Sequence, residues 1–334
     1  MSKRFIAIDL KSATPKYRQI IESVIHALRN GTLHKGQKMP SVNRICSEQN
    51  VSRDTVMLAF KELKAKGIII SQPGKGYYII SDEIPYERKV FVIFDEMDSC
   101  REAVYNSLYD VLKGRADLDV FFHHYNYKLF SNLIIKSIGY YTSYIIMPVN
   151  FNNICSLLSK LPKDNVYIMD HLKSDLNDFP AVYQDFEQDF YDALHEGTGL
   201  LKKYRKLVFV QPALKEPAER IKGFERFCRE NNFNYQIIKN IDGARPGLYE
   251  AWFLTQDSDL VQMVKIAGEY KYKLGKKFGI VSFNDSVLKE AVAGGVTTIS
   301  TDFREMGRTL GEMLLFKENG KVRNPSKLIV RNSL

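Results

Sequence analysis

Three runs decide the reading of this chain: Pro40-Ser-Val-Asn-Arg-Ile45, then Val51-Ser-Arg-Asp-Thr-Val56, then Gly67-Ile-Ile-Ile-Ser-Gln-Pro-Gly-Lys-Gly-Tyr-Tyr-Ile-Ile80. Ser41 is placed to cap a short helix whose Val42, Ile45 and Cys46 point inward. Asn50-Val51 makes a turn, and Ser52 caps the next helix, where Val56, Phe60 and Leu63 at i, i+4 and i+7 form the packing face. Gly67 ends that helix. Ile68–Ser71 and Tyr77–Ile80 then flank Gln-Pro-Gly-Lys-Gly as a tight hairpin. Upstream, Ile20, Ile21, Val24, Ile25 and Leu28 fall on one stripe of a further helix that starts near Pro15 and closes at Asn30-Gly31.

Two helices across a turn followed by a hairpin is the layout of a winged helix-turn-helix, and charge sharpens what it meets. The net charge is +9, and residues 1–80 carry all of it, with 14 Lys/Arg against 5 Asp/Glu; the rest of the chain holds 34 of each. A basic module attached to a neutral one suits a polyanion, and here double-stranded DNA. The N-terminal end of a recognition helix meets base edges in the major groove. Arg53 stands there, with a fork that matches the two acceptors of guanine. Asp54 and Met57 lie near the same end, Thr55 and Ser41 can serve phosphates, and Lys75 at the hairpin tip can reach a phosphate or the minor groove. Gly74-Lys75-Gly76 lacks the strand–loop–helix setting and the Ser/Thr of a nucleotide-cradling loop. The candidate DNA-contacting set is Ser41, Asn43, Arg44, Ser52, Arg53, Asp54, Thr55, Met57, Lys75 and Gly76.

These residues closely resemble the gluconate-repressor (GntR) type of winged helix: Pro-x-Tyr-x-Gln-Ile at 15–20, Gly-x-Gln-x-Met-Pro-Ser at 36–41, Val-Ser-Arg-x-Thr-Val at 51–56 and Gly-x-Gly-Tyr-Tyr at 74–78. The resemblance implies a bacterial, homodimeric, DNA-binding transcription factor. Asn43 stands where the family often has arginine, as does Met57; Arg44, one position later than Asn43, partly substitutes.

The 334 residues exceed one ordinary core. Residues 1–80 are the expected DNA-binding domain, 81–88 a polar linker containing Pro85, and 89–334 an effector and dimerisation domain. No apolar run is long enough to span a bilayer, and the charged N-terminus does not suit a signal peptide, so a cytoplasmic protein is expected. Cys46, Cys100, Cys155 and Cys228 lie far apart, which suits reduced thiols and no metal finger. Beyond the linker, short apolar strands (89–94, 120–124, 144–148, 166–170, 207–211, 235–238, 251–255, 278–283) alternate with helices (101–113, 154–161, 217–231, 259–274). That alternation predicts an α/β domain of parallel sheets in two lobes.

In open α/β sheets ligands bind beyond the carboxyl ends of the strands. The residues there are Asp95-Glu96, Asn150, Asp170-His171, Gln184-Asp185, Gln256-Asp257 and Asn284-Asp285. Carboxylates and amides converging from several strands suit a polyhydroxylated ligand, whose hydroxyls both donate and accept. Singly, each Asp or Asn serves equally well as a helix cap. His123-His124 come with no metal or nucleophile motif and read as core or edge histidines, and Trp252 as core.

This larger part resembles, over about residues 89–330, the lactose-repressor and periplasmic sugar-binding family. The matches are Phe278-Gly-Ile-Val-Ser-Phe-Asn-Asp285, Thr297-Thr-Ile299, Phe303-Arg-Glu-Met-Gly-Arg-Thr-Leu-Gly-Glu-Met-Leu314 and Arg220-x-x-Gly-Phe224. The resemblance implies a two-lobed, periplasmic-binding-protein-like fold with sugar contacts at Asn284, Asp170 and the Gln256-Asp257 pair, and a ligand or structural role for Arg220. The candidate effector set is Asp95, Asp170, Asp185, Arg220, Gln256, Asp257, Asn284 and Asp285. Two departures are that Asn284 replaces the usual aspartate and Gln256 the usual asparagine. The family's own helix-turn-helix and hinge helix are replaced by the winged helix, as in arabinose-type repressors. The expectation is a transcriptional regulator, in the repressor sense, controlled by a monosaccharide such as a pentose or deoxyhexose (arabinose or fucose), with no cofactor and no catalytic residues. The alternative is a DNA-binding domain fused to an aminotransferase-like enzyme half, but no lysine in a recognisable pyridoxal-phosphate context is present.

Overall fold

A computed structural model of the chain describes residues 5–9, 12, 14–81, 88–212 and 216–334, so residues 82–87 of the expected linker lie outside it. Contacts group the chain into two compact units, residues 1–90 with 114–117 and 134–142, and the remainder.

In the first unit, α1 (Lys16–Arg29), α2 (Val42–Gln49) and α3 (Arg53–Ala65) precede a hairpin of β1 (Ile69–Gln72) and β2 (Gly76–Ile79). Ser41 and Ser52 cap α2 and α3 as their positions predict, accepting from the Arg44 and Thr55 amides. The turn between them is set by Asn50, in the left-handed region at φ 52°, which asparagine tolerates. Ile20, Ile21, Val24, Ile45, Val56, Phe60, Leu63 and Ile79 form one core. At the hairpin tip Pro73 and Gly74 (φ 72°) suit the two central positions of a type II turn, closed by the Lys75 amide on the Gln72 carbonyl at 3.0 Å.

The rest runs β3 (Arg88–Phe94), α4 (Ser99–Leu112), β4 (Ala116–Phe122), α5 (Tyr127–Ser137), β5 (Ser143–Ile146), α6 (Cys155–Leu158), β6 (Val166–Asp170) and β7 (Ala181–Tyr183). It continues as α7 (Phe186–Glu196), α8 (Thr198–Leu201), β8 (Lys206–Val210), α9 (Glu219–Glu230), β9 (Asn234–Ile238), β10 (Glu250–Leu254), α10 (Asp257–Glu269), β11 (Phe278–Phe283), α11 (Val287–Ala291) and β12 (Thr297–Thr301). The chain ends with α12 (Phe303–Phe316), β13 (Lys321–Arg323) and β14 (Ser326–Ile329). Two six-stranded sheets result, ordered β13-β7-β6-β5-β3-β4 and β14-β12-β11-β10-β8-β9. The second is parallel from β9 through β12, with antiparallel β14 on its edge.

Strand β10 shows why such sheets are covered on both faces: Ala251 and Phe253 enter one core, Trp252 and Leu254 the other. Phe190, Phe209, Phe224, Phe253 and Phe283 pack with ring centroids 4.9–5.9 Å apart in one of these cores. Helix pairs approach closely where glycine permits. A Cβ on Gly307 of α12 would lie 2.2 Å from the Val104 carbonyl oxygen of α4, and one on Gly223 of α9 2.1 Å from that of Glu187. The chain passes between the lobes after β7, before α12 and before β14. Asn324 ties these passages together: its side chain donates to Thr301 Oγ1 (2.8 Å) and the Asp302 carbonyl (2.9 Å), its amide to the Tyr183 carbonyl (2.7 Å).

The helix expected at 154–161 is shorter, because only Cys155–Leu158 are α-helical before Pro162 interrupts. His123 is fully buried, its Nε2 on the Met147 carbonyl, and burial holds its imidazole below the usual range. Trp252 is core. The four thiols are free; burial pushes Cys100 and Cys228 up to about 12, while Cys46 and Cys155 are half-buried.

Candidate functional site

In the winged helix Ser41, Asn43, Arg44, Ser52 and Arg53 are exposed, and Thr55 is half-buried. Arg53, first residue of α3, donates from Nη1 to Asn43 Oδ1 at 2.9 Å, joining the N-terminal turns of α2 and α3. This bond uses one of the five N–H groups of the guanidinium. Asn43, where a family arginine is usual, thus orients the arginine that remains. Arg44 donates to Glu48 at 2.8 Å along α2. Ser52 and Thr55 bond each other at 2.8 Å besides capping α3. Asp54, Met57 and Lys75 are exposed. Gly76 has φ 105°, which side chains rarely adopt.

The second site is a cavity between the two α/β lobes, with about 490 Å³ of non-atom space including its open mouth. It is lined by Asp95, Arg101, Tyr125, Val149, Asn150, Asp170, His171, Gln184, Phe186, Glu216, Pro217, Arg220, Asn284 and Phe303. Asp95, Asp170, Gln184 and Asn284 stand at the carboxyl ends of β3, β6, β7 and β11, where the parallel topology places a ligand.

Asp95 is held by both arms of Arg101, Nε to Oδ1 at 3.0 Å and Nη2 to Oδ2 at 2.6 Å, and accepts from the Tyr125 hydroxyl at 3.0 Å. Burial alone raises its carboxyl, but the Arg101 charge and hydrogen bonds outweigh this and hold it below the usual range. Burial and the Asp95 charge together push the Tyr125 phenol up. Asp170 has φ 73° and accepts from the Gln184 side-chain amide. Across the cavity Arg220 pairs with Glu216 and lies between the Phe186 and Phe283 rings, 4.9 and 4.6 Å from their centroids. Asn150 donates to the Glu216 carbonyl at 3.2 Å. His171 Nε2 sits 3.3 Å from Glu219, and that hydrogen bond, opposed by burial, brings the Glu219 carboxyl to about 2.

Of the residues expected from sequence, Asp95, Asp170, Arg220 and Asn284 therefore meet in one cavity. Asp185, Gln256, Asp257 and Asp285 are not among its lining residues. Asp185 caps α7 by accepting from the Gln188 amide. Gln256 precedes α10 at its cap position, and Asp257 pairs with Lys289 at 2.8 Å. Asp285 takes both arms of Arg331 at 2.7 and 2.9 Å and accepts from Thr298 at 2.9 Å. Burial raises its carboxyl, and those hydrogen bonds lower it further than burial raises it. Arg101, Tyr125, Val149, Phe186, Glu216, Pro217 and Phe303 are the lining residues that sequence reasoning leaves out as ligand contacts. A larger, more open groove lined by Arg205, Arg229, Asn232 and Tyr235 lies at the N-terminal ends of β8 and β9, the end of a parallel sheet where ligands do not usually bind. Among the described residues no group of three or more His, Cys, Asp or Glu could hold a metal, and no helix is long and apolar enough to cross a membrane.

A basic winged helix with a two-lobed, doubly sheeted α/β domain defines the class, and comparison with known proteins places each part. The family described as bacterial regulatory proteins, gntR family, matches residues 16–79, and the periplasmic binding protein-like domain matches residues 200–334. The chain joins a segment matching the gntR-family helix-turn-helix to one matching a periplasmic-binding-protein-like domain. It is 39% identical over 74 residues to the HTH-type transcriptional repressor YtrA of Bacillus subtilis, covering 22% of this chain and 57% of that one. The chain spans only part of the length of such relatives. Its fold matches a LacI family transcriptional regulator from Silicibacter pomeroyi at TM-score 0.61 and 18% identity, over 74% of this chain and 98% of that one. It matches another such regulator, from Enterococcus faecalis with bound ribose, at TM-score 0.61 and 18% identity, also over 74% and 98%.

Proposed function

We propose that this chain is a cytoplasmic, homodimeric transcription regulator, in the repressor sense, whose winged helix binds operator DNA and whose cavity takes a small uncharged sugar. The observation that carries the sugar is the cavity's composition. Its lining is mostly polar, it draws on both lobes, and its ions already partner each other: Arg101 with Asp95, Arg220 with Glu216. Asp170 adds a further negative charge, so a sugar phosphate or sugar acid meets no unpaired cation in the lining. Hydroxyl groups, which donate and accept, fit paired carboxylates and amides that retain lone pairs and N–H groups. The ribose bound to the Enterococcus faecalis regulator supports the same class of ligand.

Effector control follows where the sugar binds one arrangement of the lobes better than another; the coupling equals that difference in affinity. Arg53, steadied by Asn43, is the residue best placed to read a base edge.

The test is thermal unfolding of the full chain with neutral pentoses and deoxyhexoses, their phosphates and acids, and pyridoxal phosphate. A sugar at 100 times its dissociation constant adds about 2.7 kcal/mol. Stabilisation by sugar phosphates alone, or by pyridoxal phosphate, refutes the reading.

A further inference from the structure

Lys289 is 5% exposed, an unusual place for a lysine unless its ammonium is fully paired. It is fully paired. Nζ donates to the Phe283 carbonyl at 2.7 Å and the Asn284 carbonyl at 2.8 Å, and stands 2.8 Å from an Asp257 carboxylate oxygen. An ammonium has three N–H donors and here meets three acceptors. Two of those acceptors are consecutive carbonyls at the carboxyl end of β11. The backbone between them is the point where the chain turns left-handed, at Asn284 with φ 61°, and Asn284 lines the cavity.

We infer that Lys289 is a positioning residue for the effector site: its ammonium gathers the Phe283 and Asn284 carbonyls and so fixes the turn that delivers Asn284 to the cavity. The inference rests on the reading of that cavity as the effector site. Asparagine tolerates this left-handed backbone, so what the turn requires from its surroundings is a fixed direction for the two carbonyls rather than relief of strain. The turn is also held through the Asn284 amide on the Ile299 carbonyl at 2.9 Å, the Asp285 amide on Ser300 Oγ at 2.9 Å and the Asp285 carboxylate on Arg331 at 2.7 and 2.9 Å. These hold its amides and the next side chain, whereas Lys289 holds its carbonyls. Asp257, on the outer side and 75% exposed, supplies the balancing charge from the start of α10. This accounts for a carboxylate that sequence alone places in the ligand site and that the fold places behind it.

Lys289→Met keeps the length and apolar stem while deleting the ammonium, and Lys289→Arg restores a cation. Two readouts apply to the full chain. Hydrogen exchange of the Asn284 amide should accelerate at least tenfold in Lys289→Met and stay within threefold of wild type in Lys289→Arg. Affinity for whichever of D-ribose, L-arabinose and L-fucose binds the wild type should fall at least tenfold in Lys289→Met and recover in Lys289→Arg. Wild-type exchange in Lys289→Met overturns the proposal, as does an arginine variant no better than the methionine one. Faster exchange with unchanged sugar affinity also overturns it, since the turn would then not matter to the site. If the wild type binds none of the three sugars, the choice of ligand fails separately, while the exchange arm still decides whether Lys289 holds the turn.

Discussion

Arg101→Met removes one half of a bidentate ion pair whose side chains are only 12% and 1% exposed. A surface pair contributes little, but deleting one partner of a buried pair typically costs about 3–5 kcal/mol, because the other charge is stranded. Asp95 keeps the Tyr125 hydroxyl and the Glu96 amide as donors, so the lower end, about 3 kcal/mol at pH 7, is expected. The pH dependence carries the sharper test. In the wild type the Asp95 carboxyl lies below its usual range, so its stabilisation is complete above the unfolded value, about 3.9, and fades as pH falls through the folded value. Without Arg101, burial is the largest remaining influence and it acts upward. The variant then gains stability relative to wild type as acid protonates Asp95, and the gap measured by urea unfolding should narrow between pH 7 and pH 4. A loss below about 1 kcal/mol at pH 7, or an equal loss at both pH values, would refute the buried-pair account.

Arg53→Ala should weaken binding to operator fragments selected by the wild type by about 1–3 kcal/mol and leave sugar affinity unchanged; an unaltered footprint would remove Arg53 from the reading face. Asn43→Ala, which frees that guanidinium, should cost under about 1 kcal/mol in the same gel-shift titration, and a larger loss would show that Asn43 contacts DNA directly. Asn284→Ala and Asp170→Ala should abolish sugar-dependent release of DNA without weakening DNA binding, and a variant that responds at the wild-type sugar concentration shows its residue to be structural. Gly307→Ala forces a methyl onto the Val104 carbonyl. It should destabilise the chain by about 1–3 kcal/mol in thermal unfolding, with DNA affinity intact.

Much of the molecule was legible in the chain itself wherever the signal is local. Ser41 and Ser52 cap the helices that their positions announce, since capping spans three residues. Strands β6 and β11 fall where the apolar runs do, because a strand buried on both faces is apolar throughout. Helices α5, α7 and α12 are among those that the alternation argument passes over; in α7 Phe186, Phe190, Ala193 and Leu194 are buried at helical spacing, but Glu, Gln and Asp between them mask the run.

The sequence by itself determined the basic winged helix, the parallel α/β architecture and the rule that polar residues after strands are where a ligand is sought. It could not choose among those residues. Asp95, Asp170 and Asn284 face a common cavity, while Asp185 caps a helix, Asp257 balances Lys289 and Asp285 is taken by Arg331 from the far end of the chain. Every one is an acid or amide at or just beyond the end of a strand. What separates them is the partner each meets, and those partners lie up to 46 residues away, in contacts that exist only once the strands are laid side by side.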